Sequence, residues 1–175
     1  MNNDLTQGKP TSEHQKIHDY KALCVRKHPA HMPLVNLGNR TNIVSLTICT
    51  HGRKQILAQE DVHQLLLKAW SSGKHWSVGN YVIMPDHIHL FCAPATHPYK
   101  PLRNWVKYWK TFVSRQWPRL EEHPIWQIDF WDTQMRSGDN YHDKWLYIQQ
   151  NPVRAGIVKA PEEWPYQGEL NVLRW

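Results

Sequence analysis

The sequence has 175 residues, 41% of them hydrophobic, which indicates one domain with its own core and argues against wholesale disorder. Lysine and arginine number 21 against 15 aspartates and glutamates, a net charge of +6 at pH 7. That balance favours an anionic partner such as nucleic acid, although a basic and otherwise ordinary soluble protein has the same charge. The three cysteines lack CxxC spacing, which argues against a disulfide framework or a zinc knuckle.

Residues 1–42 contain scattered prolines and glycines, so we expect a tail and a loosely packed arm there. Arg26, Lys27 and His28 in this arm either contact phosphates or lie in a solvated segment. The first ten residues lack an apolar signal region, and no stretch reaches the roughly 18 apolar residues of a membrane span. We therefore expect a cytoplasmic protein whose main domain covers residues 43–160, followed by a tail at 161–175.

Regular structure is predicted to begin with a β-branched strand at Ile43–Thr50. Glu60–Ser71 has apolar residues at helical spacing and is predicted to form a helix. Trp76–Met84 and His87–Ala93 read as two further strands. Because only Pro85 and Asp86 separate these strands, they are expected to form a hairpin.

The second half of the chain continues the alternation of helices and strands. Leu102–Trp117 has an apolar stripe at helical spacing and is predicted to be the second helix. Ile125–Met135 is expected to form a fourth strand with a turn near Asp132. A third helix is expected at Asp139–Asn151, ended by the proline that follows. The order of the first six elements predicts an α+β fold, a ferredoxin-like split βαβ sheet with its helices on one face and the other face free for a ligand.

A histidine pair begins the third predicted strand. Residues two apart in a strand point to the same side, so His87 and His89 project together while Ile88 packs behind them. Two imidazoles on a rigid strand could hold a cation with open positions for a substrate, as metal-assisted phosphoryl chemistry requires. The alternative is two histidines on the solvent face of a hairpin, since the chain has 12 histidines and HxH is a weak signal alone.

A tyrosine and an asparagine are four residues apart near the end of the third predicted helix. Tyr147 and Asn151 would share one helix face, where an amide oxygen and a phenol could approach the same phosphate. Arg154, just beyond the helix, could bind a phosphate. Alternatively, Tyr147 is a boundary residue and Asn151 a helix cap. Tyr141 and Tyr166 compete for the role of nucleophile, but neither has a ligand-type residue one turn away.

The second helix carries basic residues that could bind DNA phosphates. They are Arg103, Lys107, Lys110 and Arg115. A charged, solvated helix face is the alternative interpretation. Among the ten tryptophans, Trp105 and Trp131 are candidates for stacking on unpaired bases, whereas most of the others are expected in the core.

Several segments together resemble a known family, the single-tyrosine HUH transposases, and more closely the REP-associated tyrosine transposases of bacteria. The motif MPDHIHL is followed about sixty residues later by YIQQNPVRAGIV. VKYWKTFVSR resembles the helix between the family's motifs, IWQIDFWDTQMR its fourth-strand region and LTICTHGRKQIL its first strand and following loop. The resemblance runs from Ile43 to Val158.

The resemblance implies roles for particular residues. His87 and His89 would be the metal ligands, Asn151 the third protein ligand and Tyr147 the nucleophile on a C-terminal catalytic helix. The metal would be Mg²⁺ or Mn²⁺, and histidine ligands suit Mn²⁺ better. The substrate would be single-stranded DNA carrying a hairpin, such as a repetitive extragenic palindrome (REP), bound by a monomer.

This resemblance predicts transesterification through a 5′-phosphotyrosine, which conserves bond energy and needs no nucleotide cofactor. Three other functions remain open from the residues. A non-catalytic binder of DNA hairpins could use the same fold. An RNA-recognition module would need stacking aromatics on its central strands, which HIHL lacks. A metal phosphoesterase that uses water would tolerate loss of Tyr147.

Overall fold

The computed structural model describes residue 31 and residues 41–174. The predicted phosphate contacts at 26–28 lie outside the described residues. The strands are β1 Val44–Cys49, β2 Trp76–Met84, β3 His87–Pro94, β4 Trp131–Gln134 and β5 Gln167–Glu169. The helices are α1 Glu60–Ser71, α2 Leu102–Arg115, α3 Gly138–Gln149 and α4, a single turn at Asn151–Arg154.

The strands form one antiparallel sheet in the order β4-β1-β3-β2-β5. The first four have the order of the ferredoxin-like split βαβ fold, which confirms the predicted fold class. In the register of the central strands, Thr47 lies opposite His89 and Cys49 opposite His87. The order places β3, and with it both histidines, in the middle of the sheet.

One face of the sheet packs against α1 and α2. Alternate strand residues such as Leu46, Ile88 and Leu90 point to this side and are fully buried. Helix α2 contributes Trp109, which makes edge-to-face contacts with Trp70 of α1, Trp105 of its own helix and Trp126 of the loop after it. We call this side, with its cluster of Trp70, Trp76, Trp105, Trp109, Trp117 and Trp126, the tryptophan face.

The opposite side, called here the histidine face, carries α3. Ile148 of this helix belongs to a second core with Phe91 and Val82 of the sheet. Phe91 lies 4.5 Å from the Tyr141 ring, measured between centroids. Because Phe91 is two residues after His89 on the same face, α3 lies beside the histidines. The predicted C-terminal helix is therefore separated from the two helices on the tryptophan face.

The fourth strand and the third helix differ most from the sequence predictions. The fourth strand occupies Trp131–Gln134 alone, and the turn expected at Asp132 is wrong because this residue pairs with Leu46 of β1. Helix α3 ends at Gln149, and α4 starts at Asn151, with Gln150 between them. Pro152 lacks the amide hydrogen that a continuous helix would use, so Tyr147 and Asn151 lie on two successive helices rather than on one.

The segment expected to be a C-terminal tail adds an edge strand to the sheet. Gln167–Glu169 pairs with β2, and Trp164 is buried with its indole N–H donating to the Ile83 carbonyl at 3.0 Å. Cys49 and Cys92 are free and buried. Within the described ranges, no helix combines the length and apolarity that crossing a membrane requires.

Candidate active site

The histidine pair converges on the open part of the histidine face. The Nε2 atoms of His87 and His89 are 3.1 Å apart, and their rings are perpendicular with centroids 4.8 Å apart. Ile88 between them is fully buried on the tryptophan face. The strand alternation predicted from the sequence therefore places both imidazoles together.

The Nδ1 atom of each histidine contacts a neighbouring side chain. His87 Nδ1 donates to Asp86 Oδ1 at 2.6 Å, and His89 Nδ1 is 2.9 Å from Thr47 Oγ1. The second oxygen of Asp86 accepts from Arg53 Nε at 2.7 Å. These contacts leave both Nε2 atoms directed at each other and available to a ligand.

Burial and surrounding charge keep the pair neutral. Desolvation is the main reason that the pKa of His89 falls to about 3, and the charges of His87, Lys144, Arg154 and Arg53 lower it further. Burial also lowers the pKa of His87, although its bond to Asp86 opposes the shift. A neutral imidazole is the form that binds a metal ion, so both rings are ready as ligands at neutral pH.

Tyr147 lies on the exposed side of α3, where its side chain is 47% exposed. The Arg154 guanidinium lies over its ring at 3.9 Å from the centroid, and Lys144 Nζ is 5.6 Å from the same centroid. Arg154 also donates a hydrogen bond to Asn151 Oδ1. One arginine, the last residue of α4, thus contacts both the predicted nucleophile and the predicted third ligand.

The same two cations connect this group to the histidine pair. Arg154 and Lys144 are both close enough to His89 to depress its pKa. Arg154 therefore contacts both Tyr147 and Asn151, and the charges of Arg154 and Lys144 are near enough to His89 to lower its pKa. Helix α3 supplies Tyr147, helix α4 supplies Asn151 and Arg154, and the β2–β3 hairpin supplies the histidines.

The residues present fit a divalent cation with two nitrogen ligands. Two ligands at about 2.1 Å from an octahedral ion and at a right angle are about 3 Å apart, which matches the Nε2 separation of the pair. Among the described residues, no group of three His, Cys, Asp or Glu side chains could hold a metal. The third ligand that the resemblance implies is the amide of Asn151. Asn151 Nδ2 is buried without a hydrogen-bond partner in the described part of the chain, and Asn151 Oδ1 keeps a lone pair beyond its bond to Arg154.

The predicted basic stripe of α2 is only partly present. Arg103, Lys107 and Arg115 are exposed, and Arg103 is within 3.9 Å of Asp129. Lys110 does not fit the prediction. Only 9% of it is exposed, and its ammonium donates to the carbonyls of Gln127 and Ile128 at 2.5 and 3.2 Å. Burial lowers the pKa of Lys110 to about 8, and its amine is occupied by the backbone rather than free for phosphate.

The other aromatic candidates, for base stacking and for the nucleophile, lie in different parts of the fold. Trp105, expected to stack on bases, is buried against Trp76 in the tryptophan face, which rules out that role. Trp131 is half-buried on the edge strand β4 opposite Thr47, which places it on the histidine face in the row of His89. Tyr141 accepts from Asn80 Nδ2 at 2.7 Å and packs on Phe91.

The remaining competing tyrosine, Tyr166, also serves packing. It lies edge-on to the Trp164 ring at 5.3 Å and to the His63 ring at 5.7 Å, between centroids. Of the three tyrosines considered from the sequence, Tyr147 is thus the exposed one among cations.

Sequence analysis did not identify three of the residues that surround the pair. Asp86 was visible as the neighbour of His87 in the hairpin turn, and its contact could have been anticipated from the motif. Thr47 becomes visible only when β1 is paired with β3, and Arg53 only when its turn is placed over Asp86.

No family model matches the chain. A protein of Haemophilus influenzae, described provisionally as a REP-associated tyrosine transposase, is 33% identical over 96 residues, which are 48% of this chain and 53% of that protein. The REP-associated tyrosine transposase of Escherichia coli K12 is 26% identical over 117 residues, 65% of this chain and 67% of the relative. The chain thus spans about half the length of the first relative. These matches confirm the resemblance predicted from the motifs.

A solved structure gives the same fold. The structure of a REP-associated tyrosine transposase bound to a REP hairpin aligns with a TM-score of 0.62 at 21% identity, covering 78% of this chain and 81% of that chain. At this identity the likeness concerns the fold alone, and it supports the α+β sheet with helices described above.

Proposed function

We propose that this chain, a relative of the REP-associated tyrosine transposases, cleaves and rejoins single-stranded DNA beside a hairpin, with Tyr147 as the nucleophile. One observation carries the proposal. Arg154 stacks on Tyr147 and at the same time acts on His89 through its charge, so the tyrosine and the histidine pair share one electrostatic environment. An isolated surface tyrosine would lack that connection.

His87, His89 and Asn151 would hold a divalent cation, Mg²⁺ or Mn²⁺. When bound, the ion would withdraw charge from the non-bridging oxygens of the scissile phosphate as the transition state forms. The chain's own contribution is to present two neutral Nε2 atoms at a fixed separation and an amide from α4. Asp86 and Thr47 hold the rings in that orientation.

Tyr147 would attack phosphorus in line with the departing 3′ oxygen. The phenol oxygen forms an ester bond to the phosphorus, the bond from phosphorus to the 3′ oxygen breaks, and the proton lost by the phenol ends on that oxygen. A free phenol has a pKa of about 10, so loss of its proton needs help. Arg154 over the ring and Lys144 nearby place positive charge beside Tyr147, where it would attract the scissile phosphate.

Positive charge around the histidine pair also favours the substrate. Arg53, Lys144 and Arg154 all act on His89, and a DNA phosphate entering among them would be attracted before any covalent step. These three cations come from separate parts of the chain, the turn after β1, helix α3 and helix α4. Their convergence supports a phosphodiester as the ligand of this face.

The hairpin itself would bind partly through α2. Arg103, Lys107 and Arg115 line a groove whose other wall is formed by the loop after α2. Ile128 in this wall is 96% exposed and offers an apolar contact beside the cations. We propose that phosphates of the hairpin stem contact this groove, while the strand to be cut lies on the histidine face.

The decisive experiment incubates the protein with a 5′-labelled and a 3′-labelled hairpin oligonucleotide and Mn²⁺, followed by denaturing gel electrophoresis. The wild type should give a covalent adduct that retains the 3′ label. Tyr147→Phe should bind the hairpin and form no adduct, because the ring that Arg154 covers is kept while the nucleophilic oxygen is lost.

Tyr108→Phe is the matched control. Tyr108 is 48% exposed, almost the same as Tyr147, but lies on α2 at the tryptophan face, so the adduct should be unchanged. Normal cleavage by Tyr147→Phe would indicate a phosphoesterase that uses water. Hairpin binding without cleavage by the wild type would indicate a non-catalytic binder.

A further inference from the structure

We propose that Asp86 and Thr47 are positioning residues that decide which nitrogen of each site histidine carries its proton. In this proposal Asp86 fixes His87 in one tautomer, and the rotating hydroxyl of Thr47 allows His89 to change tautomer when a cation binds. The inference rests on the proposed cation site, but its tests do not depend on DNA cleavage.

The tautomer of His87 follows from its contact with Asp86. A carboxylate only accepts hydrogen bonds, so at 2.6 Å the proton must lie on His87 Nδ1. Nε2 of His87 then presents a lone pair toward His89 at all times. A carboxylate behind a metal-binding histidine also makes the ring a more basic ligand.

Asp86 is held in place from several directions. Its backbone carbonyl accepts from the N–H and from the hydroxyl of Thr50, both at 3.0 Å. Its second carboxylate oxygen accepts from Arg53 Nε, while Arg53 Nη1 donates to Cys49 Sγ at 2.8 Å. The side chain that orients His87 is therefore itself fixed.

The backbone at Arg53 supports this role. Its φ of +58° follows a φ of +63° at Gly52. A left-handed conformation is unfavourable for an arginine by about 1 kcal/mol or more, and such residues persist where the surroundings impose them. The turn places the guanidinium over Asp86, which gives a reason for keeping the unfavourable conformation.

His89 has a different kind of partner. A threonine hydroxyl can donate or accept, so the 2.9 Å contact with His89 Nδ1 is satisfied by either tautomer. Without a cation, Nε2–H of His89 can donate to the bare Nε2 of His87, and Nδ1 accepts from Thr47. With a cation, both Nε2 atoms need lone pairs, so His89 must carry its proton on Nδ1 and donate it to Thr47.

The exchange conserves charge and atoms. One proton leaves Nε2 for solvent, another joins Nδ1 of the same ring, and the hydroxyl rotates from donor to acceptor. An apolar residue at position 47 would leave a buried Nδ1–H without an acceptor in the cation-bound state, which is unfavourable. Serine at that position would preserve the function.

The test measures Mn²⁺ affinity of the full chain without DNA by electron paramagnetic resonance of free Mn²⁺. Thr47→Val keeps the shape and strand preference of threonine and should weaken binding by about 10-fold to 100-fold, as expected for loss of an outer-layer contact. Thr47→Ser should remain within about two-fold of the wild type. Asp86→Asn should weaken binding to a similar degree. Glu121→Gln replaces an exposed acidic residue in the turn after α2 and should not weaken it.

A second measurement reads the tautomers directly. Long-range ¹H–¹⁵N correlation spectra of the cation-free protein should show His87 protonated at Nδ1 in the wild type and a mixture of tautomers in Asp86→Asn. Equal Mn²⁺ affinity of Thr47→Val and the wild type, or a proton on Nε2 of His87, would overturn the inference. Either result is obtained whether or not the protein cuts DNA, so failure of this inference can be told apart from failure of the proposed function.

Discussion

The two faces of the sheet are made by the same strands but differ in chemistry. On the tryptophan face, helices α1 and α2 cover a core that contains six tryptophans. On the histidine face, α3 covers Phe91 and Val82, and the strand positions nearer the hairpin turn present His87 and His89 instead. Successive residues of β3 therefore serve packing and chemistry in turn.

Because successive residues of β3 point to different faces, we expect substitutions at adjacent positions to affect stability and activity separately. His63 illustrates the distinction from the other side. It is buried on the tryptophan face with its Nε2 at 2.9 Å from the Tyr81 hydroxyl, and burial lowers its pKa. A histidine in this chain is a ligand candidate because of the face that it occupies, not because of its residue type.

The largest effect is expected from substitution of His89, whose neighbour Leu90 points to the other face of the sheet. His89→Ala should lower the rate of hairpin cleavage at least about a thousandfold, because a cation bound at the proposed site would supply several kcal/mol of transition-state stabilisation. The midpoint of thermal unfolding should change little, since the residue contributes to the site rather than to the sealed core. Gel-based cleavage rates and thermal melts measure the two effects.

Leu90→Ala is the counterpart on the other face. Leu90 is fully buried, so its truncation should reduce the free energy of unfolding by about 2–5 kcal/mol. Cleavage by the fraction that stays folded should be near that of the wild type. If His89→Ala and Leu90→Ala affected stability and cleavage in the same proportion, the proposed separation of the faces would be wrong.

A smaller effect is expected on the outer surface of α2. Replacing Lys107 and Arg115 together by alanine should reduce the slope of the logarithm of hairpin affinity against the logarithm of salt concentration by about 1.8, because about 0.9 is expected for each lost phosphate contact on duplex DNA. Lys110→Met should leave the slope unchanged, since the Lys110 amine is bound to the backbone carbonyls of Gln127 and Ile128 in the loop after α2. Filter binding at salt concentrations from about 50 mM to about 300 mM would measure this slope.

The effect expected on cleavage is smallest for a change of pH acting on the same buried lysine, which alters stability alone. The folded pKa of Lys110 is about 8, against 10.5 for a free lysine, so the unfolded chain holds the proton over this interval and the folded chain releases it. The free energy of unfolding should therefore rise with pH between about 8 and 10.5, by at most about 1.4 kcal/mol per unit. Lys110→Met should lose this contribution, whereas Lys107→Met, at an exposed position, should retain it. Urea unfolding at several pH values measures these free energies. If burial of Lys110 were unimportant, the free energy of unfolding would change with pH equally in the wild type and in Lys110→Met.

Much of the fold could be predicted because local patterns dominate there. Helix α1 and strand β2 occupy the predicted residues, Glu60–Ser71 and Trp76–Met84. Both have unambiguous periodicity and clear boundaries, a Gly-containing turn between them and Pro85 after the strand. The histidine pair was predictable for the same reason, since strand alternation alone determines that both rings share a face.

Other features depend on contacts that a sequence does not display. The apolar alternation of Ile125–Phe130 suggested a strand, but this segment forms a bridge between Trp126 and Thr50 and a loop whose carbonyls bind Lys110. The burial of Lys110 follows from that loop, so it could not be inferred from helix spacing. The sequence predicts one helix through Tyr147 and Asn151. The chain instead ends that helix at Gln149 and starts another at Asn151, because Pro152 fits the first turn of a helix but not its interior.

The connection between the two edges of the sheet has a consequence for how many molecules one cleavage requires. The chain leaves β4 at one edge, forms α3 and α4, and re-enters the sheet as β5 at the opposite edge. Tyr147 is thus tethered on both sides within a single polypeptide that also supplies His87 and His89. An enzyme built in this way is expected to be first order in protein, with initial velocity proportional to concentration even at high dilution, and to gain nothing from mixing a tyrosine-deficient variant with a histidine-deficient one.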